Sequence, residues 1–304
     1  MNGIMRISPF LDKAKTKIMR RLAPKVRPGE QELGFPPFSQ RIKDRHRRWH
    51  SNPELMTRYD YILGKAASQD YMRDLGYAVP EVYARFPRIT ALSPLYDLPA
   101  NVVLKPDGGH SAQHVFILRD GVNIFDGSLL TRDSIVEKVG PDCPFPFFAE
   151  ELLLNFDGTG RIANDVKFHC FGDKIAFVLY IERNHPKDIS QNRYYYLTED
   201  WQLLGIRTNS RLYPEKRVPP KPDCFAELRD IARDVGRRMN MFMRIDLYAT
   251  TRGPVFGEFT PCPTGGMNYT AKAEEWLGGM WKGLEGCDDV HGGSQQKPSR
   301  RSAL

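Results

Sequence analysis

The stretch Arg244-Ile245-Asp246-Leu247-Tyr248 is followed, after a return at Arg252-Gly253-Pro254, by Phe256-Gly257-Glu258-Phe259-Thr260, and these two pieces decide how the chain is read. Side chains alternate along a strand, so Arg244, Asp246 and Tyr248 share one face and Ile245 and Leu247 the other. Charges on one face of an otherwise apolar strand are costly unless they are paired or functional. The return places Asp246 and Glu258 side by side on neighbouring strands, pointing the same way. Two carboxylates so placed repel unless a cation sits between them. A hard cation with oxygen ligands, Mg²⁺ bridging to a phosphate, meets that demand. An Arg244–Asp246–Glu258 ion network without metal meets it too.

Working outward, Phe225 to Met239 reads as an amphipathic helix, with apolar residues at Phe225, Leu228, Ile231, Ala232, Val235 and Met239. Asp165–Cys170 and Lys174–Ile181 read as strands joined at Gly172-Asp173. Asn101–Pro106 and His114–Leu118 read as a hairpin around the polar, glycine-bearing loop Asp107–Ala112. Asn52-Pro53-Glu54 opens a helix with an Asn cap and a first-turn proline, and Tyr61 to Leu75 continues helical to a stop at Gly76. Val79–Tyr83 is a short extended segment. Strands that do not alternate regularly with helices imply an α+β chain and exclude a doubly wound nucleotide fold.

The 304 residues carry a formal net charge of +7, with Lys and Arg concentrated between Lys13 and His50 and again at Lys297, Arg300 and Arg301. Two readings stand: a solvated helix face with a disordered tail, or contact with an anionic partner such as a polyanionic substrate or a membrane surface. Trp49 is the only aromatic beside Arg45-His46-Arg47-Arg48, and no zinc-finger, homeodomain or RNP motif is present, so no nucleic-acid partner is expected. No apolar run is long enough to span a bilayer, and Met1 to Leu11 has too short an apolar stretch for a secretory signal. Five dispersed cysteines read as reduced thiols, so a cytoplasmic location is expected.

Three further places carry chemistry. Lys105 ends a buried strand just before Pro106 and a glycine-bearing loop, where a mobile cation and backbone N–H groups can meet phosphate; a strand-end lysine reaching water is the plainer alternative. Glu150 and Glu151 are adjacent in the apolar run Phe147–Leu154, so on a strand one of them faces the apolar side and needs a partner. Lys167 lies in the alternating strand Asp165-Val166-Lys167-Phe168, which also reads as an exposed edge.

Together these pieces resemble the ATP-grasp superfamily, and within it the TupA-like (teichuronopeptide-biosynthesis) branch, over roughly Phe38 to Trp276. The likeness rests on Phe38-Ser39-Gln40-Arg41-Ile42 followed by Asn52-Pro53, and on Gly64-Lys65 leading into Asp70-Tyr71. It continues through Val103-Leu104-Lys105-Pro106 and Asp165-Val166-Lys167-Phe168-His169-Cys170-Phe171 to the two strands that open this section. The resemblance implies two α+β lobes holding ATP between them, preceded by a short basic helical segment at residues 1–56. It divides the rest into an ATP-grasp domain at 57–290 (small lobe about 80–150, large lobe about 151–290) and a disordered tail at 291–304. It implies that Lys65 and Lys105 contact phosphates and that the loop with Gly108, Gly109, His110 and Ser111 closes over them. Glu150 and Glu151 would sit at the adenine-side hinge, Lys167 would reach the nucleotide, Asp246 and Glu258 would hold Mg²⁺, and Arg244 would act with Lys105 on the transferring phosphoryl group.

Three departures matter. Gly64 stands where the family pattern often has Asp, and Thr260 where many ATP-grasp enzymes have Asn. The larger N-terminal lobe is matched only by a short basic segment, so the substrate does not carry over. The family chemistry implies a ligase that activates a carboxylate of a small molecule, peptide or sugar acid as an acyl phosphate and joins it to an amine. A kinase using the same ATP site, and a non-catalytic nucleotide-binding docking protein, are the alternatives. On the acceptor side the residues open to substrate are Arg183, His185, Arg193, Arg207, Arg211, Thr260 and Asn268, with the glycines of Thr264–Asn268 letting backbone approach a ligand.

Overall fold

The computed structural model describes residues 35–108, 113–184, 189–281 and 284. Four helices come first: α1 (Phe38–Ser51), α2 (Pro53–Arg58), α3 (Asp60–Leu63) and α4 (Lys65–Asp74). They are followed by β1 (Val82–Phe86), β2 (Asn101–Pro106), β3 (Phe116–Arg119), β4 (Val122–Asn123), α5 (Arg132–Val139) and β5 (Phe147–Glu151). The remainder comprises β6 (Asp165–Phe171), β7 (Lys174–Glu182), β8 (Arg193–Leu197), α6 (Phe225–Met239), β9 (Phe242–Thr250), β10 (Gly253–Thr260) and α7 (Ala271–Met280).

The strands form two five-stranded antiparallel sheets, ordered β1-β5-β2-β3-β4 and β10-β9-β6-β7-β8. The chain leaves the first sheet at Glu151 and enters the second at Asp165. β6 is the central strand of the second sheet and buried along its whole length, not an exposed edge. Helices cover both faces of this sheet, and Lys167 on it is only 6% exposed.

Each face of the second sheet has its own core. On one, α6 packs Phe225, Leu228, Ala232 and Val235 against Val166, Phe168 and Ile245, joined by Trp49, Tyr59, Ile62 and Met72. On the other, Phe38 and Ile42 of α1 and Ala273, Leu277 and Trp281 from α7 and its end cover Phe171, Phe177 and Phe242. Burying a side chain of this size contributes roughly 1.5–3 kcal/mol. The helix α6 has a glycine where it crosses the β6–β7 turn: a Cβ at Gly236 would lie 2.1 Å from the carbonyl oxygen of Gly172. The helix then stops at Asn240, which takes the left-handed conformation (φ 47°).

Several boundaries differ from the sequence reading. The expected first segment, residues 1–56, is cut at Gly34/Phe35, because α1 is part of the main unit. Arg45, read as part of a solvated basic face, is fully buried: its guanidinium donates to the carbonyl of Phe242 at 2.7 Å and lies over the Trp281 ring at 4.4 Å. The helix expected over Tyr61–Leu75 is broken at Gly64, whose extended backbone caps α4. The strand expected from His114 begins at Phe116, since His114 has φ 57°. The part of the basic segment before Phe35 and the tail at 291–304 lie outside the described residues, as does Cys287. The other four cysteines are free thiols. No described helix is long and apolar enough to cross a membrane.

Candidate functional site

β9 and β10 align as the alternation requires: Asp246 faces Glu258 and Arg244 faces Thr260 across the pair. A register shift at Gly257 makes this possible, and a Cβ there would meet the Tyr248 ring at 2.7 Å. On β6, Asp165, Lys167 and His169 lie on the same face, opposite Tyr248, Asp246 and Arg244 of β9. The outcome is a line of alternating charge across four chain segments. Arg183, just beyond β7, pairs with Asp165; Lys167 pairs with Asp165 at 2.9 Å and with Asp246; Arg244 grips Asp246 through Nε and Nη2, each at 2.7 Å. Nη2 of Arg244 also donates to Oγ1 of Thr260 at 2.8 Å and lies 3.7 Å from Glu258.

Three cations thus stand against three carboxylates on a largely dry face. Burial alone would push the Asp246 carboxyl up, but Arg244 and Lys167 outweigh it and hold it below the usual range. Asp165 behaves likewise, with Lys167 and Arg183 overcoming burial. Burial opposes charge on Arg244, yet Asp246 and Glu258 keep its guanidinium more firmly protonated than usual. His169 has no such partner. Its ring stacks on Phe177 at 3.9 Å, its Nδ1 is buried without a hydrogen bond, and burial together with Arg244 pushes its pKa down to about 3.

A second cluster is built on the first sheet and α4. Lys105 pairs with Glu150, whose other oxygen accepts from Nε2 of the fully buried Gln69 at 2.8 Å. The Ala66 N–H at the start of α4 donates to Asp107 at 2.8 Å, and Nζ of Lys65 donates to the Gly108 carbonyl at 3.3 Å. Burial lowers the Lys65 pKa; Glu258 opposes that, while Lys105 adds to it. Lys65 therefore lies within electrostatic reach of both the second lysine and the exposed carboxylate of the second sheet. The helix α4 carries this link, since it packs on β10, with Tyr71 against Phe259 at 6.3 Å.

The structure brings Lys65, Lys105, Gly108 and Glu150 together, and Asp246, Glu258, Arg244, Thr260 and Lys167 together. It gives several of them partners the sequence did not show. Lys167 is held by Asp165 and Asp246. Arg183 belongs to the same charge line. Glu151 is not free: it binds Arg252 of the β9–β10 return at 2.7 Å and so ties the two sheets. Arg193 pairs with Glu182 at 3.5 Å. Arg207, Arg211 and Asn268 meet in a pair of loops joined by the Ser210 N–H to Asn268 carbonyl bond of 2.8 Å. Gly109, His110, Ser111 and His185 lie outside the described residues. Asp165, Gln69 and Asp107 were missed as site residues. Asp165 was legible as the residue two before Lys167 on the same strand face; Gln69 and Asp107 depend on contacts some forty to eighty positions apart.

The sequence pattern of the TupA-like ATPgrasp family matches residues 87–282, more than half of the chain. The chain belongs to this family. It has the family's α+β ATP-grasp fold, with two five-stranded antiparallel sheets. Among solved structures it is similar to the ATP-grasp ligase PsnB complexed with minimal precursor (15% identity, TM-score 0.41, covering 76% of this chain and 59% of that one). It is also similar to a D-alanine–D-alanine ligase from Bacillus anthracis complexed with ATP (16%, 0.44, 71% and 60%) and an L-amino acid ligase from Bacillus licheniformis (12%, 0.42, 68% and 42%). This chain thus spans about 40–60% of the length of those proteins. No curated protein matches it.

Proposed function

We propose that this ATP-grasp protein is a magnesium-dependent ligase that uses ATP to activate a carboxylate and passes the acyl group to an amine. The observation that carries the reading is the convergence of Lys65, Lys105 and Glu258 at the junction of the two sheets. Two lysines near one another, one of them with its charged form disfavoured, make a site that gains from a polyanion. Lys65, Lys105 and the loop Gly108–Ser111 are assigned to the phosphates. Glu150 and Gln69 fix Lys105, and the chain at Glu150–Glu151 is assigned to the base-side hinge. The lobes divide there, at about 80–150 and 151–290.

The residues present suit a hard cation. Glu258 is 41% exposed at its side chain and stands opposite Asp246, whose buried carboxylate is gripped by Arg244 and Lys167. Asp246 and Glu258 would hold Mg²⁺, which when bound neutralises phosphate charge. Thr260 offers a hydroxyl already engaged by Arg244, so one metal is assigned rather than two.

Phosphoryl transfer asks chiefly for positioning and charge neutralisation. Lys65 and Lys105 bind and orient the phosphates from the first sheet. Arg244, fixed by Asp246 and Thr260, presents its guanidinium from the second and stabilises charge on the acyl group. Lys167 and Asp165 hold Asp246 in place. The carboxylate takes the γ-phosphoryl group and releases ADP; the amine then displaces phosphate and loses a proton. The test is ADP release by the full chain with paired carboxylates and amines, followed by product mass. An amide with loss of water supports the ligase. A stable phosphorylated product points to a kinase, and no nucleotide turnover with any pair counts against catalysis.

A further inference from the structure

Two loops, residues 206–214 and 263–270, form a surface that the proposed chemistry does not use. They are stitched together by the Ser210 N–H to Asn268 carbonyl bond (2.8 Å), the Thr270 N–H to Thr208 carbonyl bond (3.0 Å) and the Thr270 hydroxyl to Arg207 carbonyl bond (2.6 Å). Thr264 and Asn268 both adopt positive φ, 52° and 67°, conformations that such side chains take only when their surroundings hold them.

Within this frame the guanidinium of Arg207 is locked. Its Nε donates to the Asn209 carbonyl at 2.8 Å, its Nη2 donates to the Ser210 carbonyl at 2.7 Å, and its plane lies over the Tyr213 ring at 4.4 Å. An exposed arginine ordinarily keeps its rotamer freedom or spends its charge on a carboxylate. Arg207 does neither: it is exposed, and no carboxylate among the described residues lies within ion-pair distance. Tyr213 is 77% exposed although it stacks on the cation. Arg211, exposed next to it, makes no side-chain hydrogen bond or ion pair with the described residues; its backbone N–H donates to Asn209. Two unspent cations, one of them fixed in orientation, thus share one loop.

This surface borders the charge line. Tyr269, between Asn268 and Thr270, bridges to Asn209 and lies within electrostatic reach of Arg244.

We propose that Arg207, Arg211 and Tyr213 form the docking point for an anionic oxygen group, carboxylate or phosphate, carried by the substrate in addition to the group that reacts. A fixed guanidinium offers its remaining N–H groups to such an anion as a planar fork, and the ordering has been completed before binding. The place of this point beside the reacting centre rests on the ligase reading; the anion site itself does not.

The test uses the full chain and calorimetry with tri-L-glutamate, with sn-glycerol 3-phosphate for the phosphate arm and tri-L-glutamine as the uncharged control. One of the two anions is expected to bind while tri-L-glutamine does not, and which one binds names the group. Arg207→Gln is expected to weaken that binding at least tenfold and Arg211→Gln by a smaller factor, with Mg–ATP affinity and melting temperature unchanged. Arg211→Gln guards against a folding artefact, because its guanidinium supports nothing. Tyr213→Leu should weaken binding with both charges intact. No anion binding by wild type, or equal binding by the Arg207 variant, overturns the proposal. Arg207-dependent anion binding without any ATP binding leaves the site standing and removes the ligase reading instead.

Discussion

Asp165→Asn removes one carboxylate from the middle of a buried charge line. In the native protein Asp165 is 4% exposed and carries Lys167 at 2.9 Å on one side and Arg183 on the other. Breaking a buried ion pair from one side costs about 3–5 kcal/mol, because the remaining charge stays dry. Two features place this case at the lower end. Lys167 keeps Asp246, and the Arg183 side chain is 28% exposed, so water can reach it. The expected loss is therefore about 3 kcal/mol at pH 7, read by urea unfolding with an unchanged m value. The sign of the pH dependence follows from the depressed carboxyl pKa. The wild-type advantage is fully present above the unfolded value of about 3.9 and is lost as pH falls below it, so the two proteins should converge in acid. Adding Arg183→Gln to the variant removes the cation that has lost its partner. The double variant should then lose less than the two single losses summed, by roughly 0.5–3 kcal/mol. A loss under about 1 kcal/mol at pH 7, or strict additivity, would refute the idea that the line acts as one unit.

Two other outcomes are expected. Gly236→Ala in the middle of α6 would ordinarily gain up to about 1 kcal/mol of helix propensity. The Gly172 carbonyl oxygen stands 2.1 Å from the new Cβ, so a net loss of about 2 kcal/mol is expected in thermal or urea unfolding, and a gain would contradict the close approach. His169, held neutral to about pH 3, binds a proton in the unfolded chain near pH 6.5; the unfolded state takes up more protons between those values. Stability should fall on acidification across that window by up to roughly 1.4 kcal/mol per pH unit, and His169→Phe, which keeps the ring against Phe177, should flatten the slope between pH 6 and 4. An unchanged slope would show that other groups set it.

The second sheet was legible because period-2 alternation and turn residues are local properties. Arg244, Asp246 and Glu258 were found that way, and α6 by its 3.6-residue period. The sequence left the strand of Lys167 open between an edge and a buried position, because burial of β6 depends on packing far along the chain, and a run with one lysine looks the same at an edge or a centre. The burial of Arg45 was hidden for the matching reason: its partners, the carbonyls of Phe242 and Pro261 and the Trp281 ring, are some two hundred positions away. Glu150 announced a need for a partner, but only the packing of α4 shows that Gln69 and Lys105 both meet it. Family likeness pointed to Lys65. What it did not show is that Lys65, bonded to the Gly108 carbonyl, also lies within electrostatic reach of Glu258 on the other sheet.

The most direct measurement is titration of Mg–ATP into the full chain by calorimetry, with Lys65→Met and Glu258→Gln as variants. Glu258 is preferred to Asp246 here because it is the exposed end of the charge line, and its change leaves the buried Asp165–Lys167–Asp246–Arg244 pairs in place. Wild type is expected to bind ATP with magnesium present and more weakly without it. Lys65→Met should weaken binding by about ten- to a hundredfold, the value of a hydrogen bond to a charged group, and Glu258→Gln should remove the magnesium dependence. A folded wild-type protein that binds no nucleotide, or variants that bind Mg–ATP as tightly as wild type, would contradict the account.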